Sequence, residues 1–128
     1  MPAVYSSLHT NAKSLRERSA LAQKWTAVLA EAIYFVEKNP DKGKAAVAKQ
    51  LRLNDPDALQ SAYDAYAKLL VNRRIIVPES TVAGVIEVAR EQGTNVRKKA
   101  AEVIDNSFAE NLEKSGLLKE IWGGEVPR

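Results

Sequence analysis

Between Leu21 and Val36 the chain sets apolar residues three and four positions apart: Leu21, Trp25, Val28, Leu29, Ala32 and Phe35 or Val36. That is the repeat of a helix face, not the two-residue alternation of a strand. Gln23, Lys24, Glu31, Glu37 and Lys38 fill much of the remainder, so the spacing predicts one amphipathic helix from about Lys13 to Lys38. Ser14 and Glu17 have capping-box spacing at its start. Thr10 offers an equally good, slightly earlier cap.

The pattern stops at Asn39-Pro40-Asp41, and a similar step recurs at Asp55-Pro56-Asp57. Proline lacks an N–H and has its φ pre-set near the helical value, so it suits the first helical turn. Asn39 and Asp55 then stand as caps, and Asp41 and Asp57 sit where carboxylates favour the positive end of the peptide dipoles. A short second helix is predicted from Pro40 to Leu51, with a thin apolar face of Ala45, Ala46, Val47 and Leu51. A third, from Pro56 to about Leu70, presents Leu59, Ala62, Tyr63, Tyr66, Leu69 and Leu70. Its tyrosines read as half-buried packing groups with hydroxyls in water.

Ile75-Ile76-Val77 is β-branched and reads as extended, and Pro78 pushes Val77 out of the helical region. A fourth helix is predicted from about Glu79 to Gln92, with Val82, Val85, Ile86 and Ala89 as its buried face. Gly93 is its left-handed terminator. Thr94 to Ala101 is basic and reads as either loop or a short helical turn. Asp105 or Asn106 caps a helix carrying Phe108, Ala109 and Leu112. Gly116 ends or bends it, and Leu117, Leu118, Ile121 and Trp122 form a last apolar patch. The expected fold is mainly α: a single helical domain of about five to six helices over residues 13 to 122, with short extended segments. Residues 1 to 12 are expected to be irregular, with Val4 to Leu8 as a short strand, and residues 123 to 128 form a tail.

A chain of 128 residues has the usual size of one domain and is long enough to bury a core without metal or disulfide help. Its 45% hydrophobic and 27% charged residues argue against disorder in the middle of the chain. The formal charge of +3 comes from 19 basic and 16 acidic residues that interleave, so nucleic acid is not the expected partner. No cysteine is present, which removes disulfides, thiolate nucleophiles and Cys-ligated zinc together. His9 is the single histidine and lies in the irregular N-terminus, a poor place for a catalytic triad. Asp41, Asp55 and Asp57 serve better as helix caps than as cation ligands, and no phosphate-binding glycine loop occurs. Neither an enzyme nor a cofactor is therefore expected. No stretch approaches the roughly 18 to 20 apolar residues of a membrane span, and the N-terminus lacks the pattern of a signal peptide. Two basic clusters, Arg73-Arg74 and Arg97-Lys98-Lys99, are the positions suited to anion or phosphate contact, with solvated surface as the plainer reading.

The order of these features resembles the C-terminal region of bacterial ABC-transporter substrate-binding proteins of the nitrate/sulfonate/taurine and thiamine-pyrimidine-precursor type. The matching pieces are Ala30-Glu31-Ala32-Ile33-Tyr34-Phe35, Asn39-Pro40, Asp55-Pro56 and Tyr63-Asp64-Ala65-Tyr66. A closing segment with Asp105, Ser107, Phe108, Leu112, Ser115 and Gly116 completes the set. The resemblance spans roughly residues 4 to 122; no single motif is strong, and their order and spacing carry it. It implies a periplasmic protein that holds a small anion, sulfonate or pyrimidine-type compound between two α/β lobes and passes it to a membrane permease. The sequence departs from that pattern by lacking the N-terminal lobe and most cleft-lining positions. Tyr5, Ser6 and Ser7 resemble the end of the segment returning from the second lobe and are the positions nearest a ligand.

With one lobe missing, the chain alone is expected to bind ligand weakly, and to have an exposed apolar surface or a self-associated state. Two alternatives stand beside this reading: a helical, self-associating interaction module, and nucleic-acid or phosphate binding through the basic clusters. The resemblance implies the periplasm; the chain as given, without a signal peptide, reads as cytoplasmic.

Overall fold

The computed structural model describes residues 7–67 and 72–127. Among them are seven α-helices, one short 3-10 turn and no strand. The helices are α1 (Ala12–Glu17), α2 (Ser19–Lys38), α3 (Pro40–Leu51), α4 (Pro56–Ala65), α5 (Glu79–Glu91), α6 (Ser107–Lys114) and α7 (Leu117–Trp122), with the 3-10 turn at Ala100–Glu102. The expected mainly helical domain is the observed one. Of the predicted strand at Val4 to Leu8, Val4 to Ser6 lie outside the described residues, as do the helix residues Leu69 and Leu70, while Ser7 and Leu8 are irregular.

The proposed first helix is two helices. Its N-cap is neither Ser14 nor Thr10 but Asn11, whose Oδ1 accepts from the Ser14 N–H at 2.9 Å. The break falls at Arg18, with φ −133° and ψ 36°. It costs little hydrogen bonding. The Arg18 N–H still donates to the Ser14 carbonyl, and the Arg18 carbonyl accepts from Leu21 and Ala22.

The two proline steps behave differently. Asp55 caps α4 as expected, its Oδ1 accepting from the N–H groups of Asp57 at 3.0 Å and Ala58 at 3.2 Å. Asn39 does not cap α3. Its Nδ2 turns back and donates to the Phe35 carbonyl at 3.0 Å, so it closes the end of α2 instead. The reason lies in the backbone: Asn39 has φ −132° and ψ 65°, short of the extended conformation that aims a cap side chain into the next helix.

α2 is the hub. It packs on α1, α3, α6 and α7, while α3 leads on to α4 and α6 packs on α7. Gly43 lets α3 come close to the end of α2, because an added Cβ would stand 3.1 Å from Val36 Cγ1. The core gathers Ala30, Leu112, Leu118 and Val126, flanked by Ala27, Ile75, Leu117, Ile121 and Trp122. Ala109 and Leu112 of α6 are buried as the pattern predicts. Val126 places part of the expected tail in the core.

The apolar faces read for α3 and α5 are not core faces. Ala45, Ala46, Val47 and Leu51 are exposed, as is Val85, and Val82, Ile86 and Ala89 are only half-buried. α5 ends as expected at Gly93, with φ +85°. Among the other elements its packing is chiefly against the 3-10 turn. The segment before it is not uniformly extended. Ile75 has φ +58°, a left-handed conformation that is a steric outlier for a β-branched residue, and its N–H donates to the Asn72 carbonyl to close a tight turn.

Candidate functional site

The feature most in need of explanation is the outer face of α2. With a helical advance of about 100° per residue, Leu21, Trp25, Val28, Ala32 and Phe35 form a single stripe. Leu21 is 47% exposed, Trp25 58%, Val28 54% and Phe35 46%. The stripe that reads as core-facing therefore looks outward. The face turned into the protein carries Thr26, Ala30, Ile33 and Glu37, of which Thr26 and Ala30 are buried. The Thr26 hydroxyl avoids an unmet hydrogen bond by donating to the Ala22 carbonyl at 2.9 Å. The small residues on this inner face let α6 and α7 approach, and the larger apolar side chains are left outside.

Leu118 is the one large side chain that is fully buried among the described residues. Large apolar side chains of α2, α3 and α5 are left exposed.

Lys24 and Glu31 lie along one flank of the stripe. Both are exposed, and neither has a side-chain partner among the described residues. Beside Phe35 the surface dips into an open depression of about 460 Å³ lined by Glu31, Tyr34, Phe35, Leu117, Glu120 and Ile121. A second depression of about 410 Å³ lies between Arg74, Glu113, Lys119 and the chain end at Glu125 to Pro127.

Where α2 ends, a polar and aromatic corner fixes its orientation. Arg73 Nε donates to Glu37 Oε2 at 2.9 Å and its Nη2 to Oε1 at 2.6 Å, with both side chains mostly buried. The Arg73 guanidinium carbon lies 5.9 Å from the Trp122 ring centroid. Lys38 Nζ is 5.8 Å from the ring centroids of both Tyr34 and Trp122, and those rings meet edge to face at 5.1 Å. The indole Nε1 of Trp122 is buried without a hydrogen-bond partner among the described residues. Hydrogen bonding to the accepting Glu37 carboxylate holds the Arg73 guanidinium above its usual range. Burial, and then the Glu37 charge, raise the Tyr66 phenol. Tyr63 donates to the Val36 carbonyl at 3.3 Å, so its hydroxyl is spent inside the fold and not left to water.

The residues proposed for ligand contact are scattered. Tyr5 and Ser6 lie outside the described residues, and the Ser7 hydroxyl pairs with His9 Nε2 at 2.8 Å on an exposed segment. Arg73 is held by Glu37, and Arg74 pairs with Glu113 of α6. Lys98 reaches Glu102 at 3.4 Å, and the Lys99 N–H donates to the same carboxylate at 2.8 Å. That backbone bond, then Lys98, draws the Glu102 carboxyl below its usual range. Arg97 is exposed. Both basic clusters therefore have carboxylate neighbours of their own, which lowers their pull on an outside anion.

The corner itself has almost no signature in the sequence. Glu37 reads as a flank residue and Trp122 as one of an apolar patch; the only signal is an acid near an aromatic pair at a helix end. Among the described residues no group of three or more acidic or histidine side chains is arranged to hold a metal, and no helix is long and apolar enough to cross a membrane. No family model matches the chain, and comparison with curated proteins and with solved structures likewise finds no match.

Proposed function

We propose that the chain is a non-enzymatic helical layer related to the substrate-binding proteins of ABC transport, built to cover another folded body. In that setting it serves delivery of small anions, sulfonates or pyrimidine-type compounds to a permease, and by itself it binds such compounds weakly. The observation that carries this reading is the reversed face of α2: its small residues are inside, and Leu21, Trp25, Val28 and Phe35 are outside. An exposed apolar stripe of this length marks an interaction surface. The open form of the depression beside Phe35 supports the same reading, since a ligand held by two closing lobes needs an enclosed site.

The test is thermal unfolding with nitrate, bicarbonate, taurine, an alkyl sulfonate, a pyrimidine and an aromatic carboxylate. A ligand that binds only the folded chain raises Tm by mass action. A cooperative transition without a saturable shift is expected. A large saturable shift with one compound would overturn the covering-layer reading, because the chain would then contain a complete pocket. An environment-sensitive apolar dye should bind the wild type and bind less to Trp25→Lys.

A further inference from the structure

We infer that the body covered by the α2 stripe is a second copy of this chain, packed antiparallel about a two-fold axis near Val28. This rests on the reading of the stripe as an interaction face and names its occupant. The stripe advances by steps of four, three, four and three from Leu21 through Trp25, Val28 and Ala32 to Phe35. That is the seam of a two-helix contact. Turned end over end, the seam matches itself: Leu21 meets the Ala32 to Phe35 end of the other copy, and Val28 lies near the axis. A two-fold contact of this kind requires the same patch on both copies.

The charges select this occupant. On one flank of the stripe stand Lys24 and Glu31, of opposite sign, exposed and without side-chain partners among the described residues. In an antiparallel pair the same flanks meet, so Lys24 faces Glu31 of the second copy and Glu31 faces Lys24. Two equivalent pairs form without any further residue. A parallel pairing would instead set this flank against the uncharged flank of Leu29 and Val36 in the second copy, leaving Lys24 and Glu31 without partners. The other flank, with Leu29 and Val36, carries no charge to oppose the contact.

The area sets the strength. Given aromatic side chains of 150–250 Å² and a stripe about half exposed, the face offers on the order of 400 Å² per copy. A standard interface uses roughly 800 Å² per partner. Association is therefore expected to be weak and reversible.

Sedimentation velocity over a hundredfold range of concentration, on wild type, Lys24→Glu, Glu31→Lys and the double exchange, tests this. Wild type is expected to pass from monomer to dimer. Each single reversal sets like charges together twice and should weaken association about tenfold or more. The double exchange should restore it. A Trp122→Phe background leaves Trp25 as the only tryptophan, and its emission should shift to the blue as the dimer forms. A wild type that stays monomeric throughout, while the dye still binds the stripe, would overturn the second copy as occupant and leave the interaction face standing. A monomer that binds no dye would overturn both. A dimer indifferent to the charge reversals would place the contact on another face and overturn this inference.

Discussion

Asn106 and Val77 hold each other through a reciprocal pair of hydrogen bonds. The Val77 N–H donates to Asn106 Oδ1 at 2.9 Å, and Asn106 Nδ2 donates to the Val77 carbonyl at 3.0 Å. The side-chain amide thus takes the place of a neighbouring strand for one residue. It ties the segment ahead of α5 to the start of α6, across 29 positions of sequence. The pattern that suggests a helix cap at Asn106 finds another use: the Ser107 N–H is met by Asp105 Oδ1 at 3.0 Å, which frees Asn106 for Val77.

Replacing Asn106 by Ala should therefore destabilise the protein by about 1–3 kcal/mol, because a half-buried N–H and carbonyl lose their partners together. Asn106→Asp should recover only part of the loss, since a carboxylate accepts from the Val77 N–H and cannot donate to its carbonyl. Urea unfolding of the three proteins measures the difference. Equal stability of Asn106→Ala and wild type would mean that the pair contributes nothing.

Loss of one partner from the Glu37–Arg73 pair should cost about 1.5–3 kcal/mol, the range for hydrogen bonds to charged groups. The two truncations Glu37→Ala and Arg73→Ala together should cost less than their sum, because each single change strands a mostly buried charge. A double-mutant cycle in urea reads that coupling directly.

The phenol of Tyr66 is raised first by burial and then by the Glu37 charge, while Arg73 opposes the shift. A group whose folded pKa lies above its unfolded value contributes stability that is complete below the unfolded pKa. That stability falls away as pH rises through the folded value. Tyr66 should therefore ionise later than an exposed tyrosine in an ultraviolet titration, and stability should decline across the alkaline range in which unfolded tyrosine ionises. Tyr66→Phe should reduce that decline. Arg73→Ala should move the late titration later still. An early, ordinary titration of all tyrosines would contradict the burial assigned to this ring.

The two proline steps predict unequal effects. Asp55→Ala removes a side chain that accepts from two first-turn N–H groups, and should cost about 1 kcal/mol. Asn39→Ala removes a hydrogen bond to the last turn of α2 and leaves the start of α3 untouched, so a smaller loss is expected. Thermal unfolding of the two variants side by side checks the order.

Helix existence and type were legible because they depend on local spacing: α3 begins and ends where the pattern set it, and Gly93 closes α5. Which face is buried was legible for α6 but not for α2, α3 and α5, because that depends on what lies opposite. In α2 the periodicity of Leu21, Trp25, Val28 and Phe35 is genuine, yet α6 and α7 pack against the smaller residues behind them. The break at Arg18 was equally hidden, since Arg18 is an ordinary helix former and its neighbours keep their hydrogen bonds across the kink. The corner of Glu37, Arg73 and Trp122 joins three distant parts of the chain, and no spacing rule reaches that far.

The slender attachment of α5 gives the domain an uneven free-energy surface. A segment whose packing is chiefly against one 3-10 turn can open while α2, α6 and α7 remain folded. Its amides would then exchange with deuterium through a sub-global opening, ahead of those of α2, and a protease would find its first cuts near Glu79 or Thr94. Cooperative unfolding seen by circular dichroism would report the hub of the protein, and the α5 arm would already have left it.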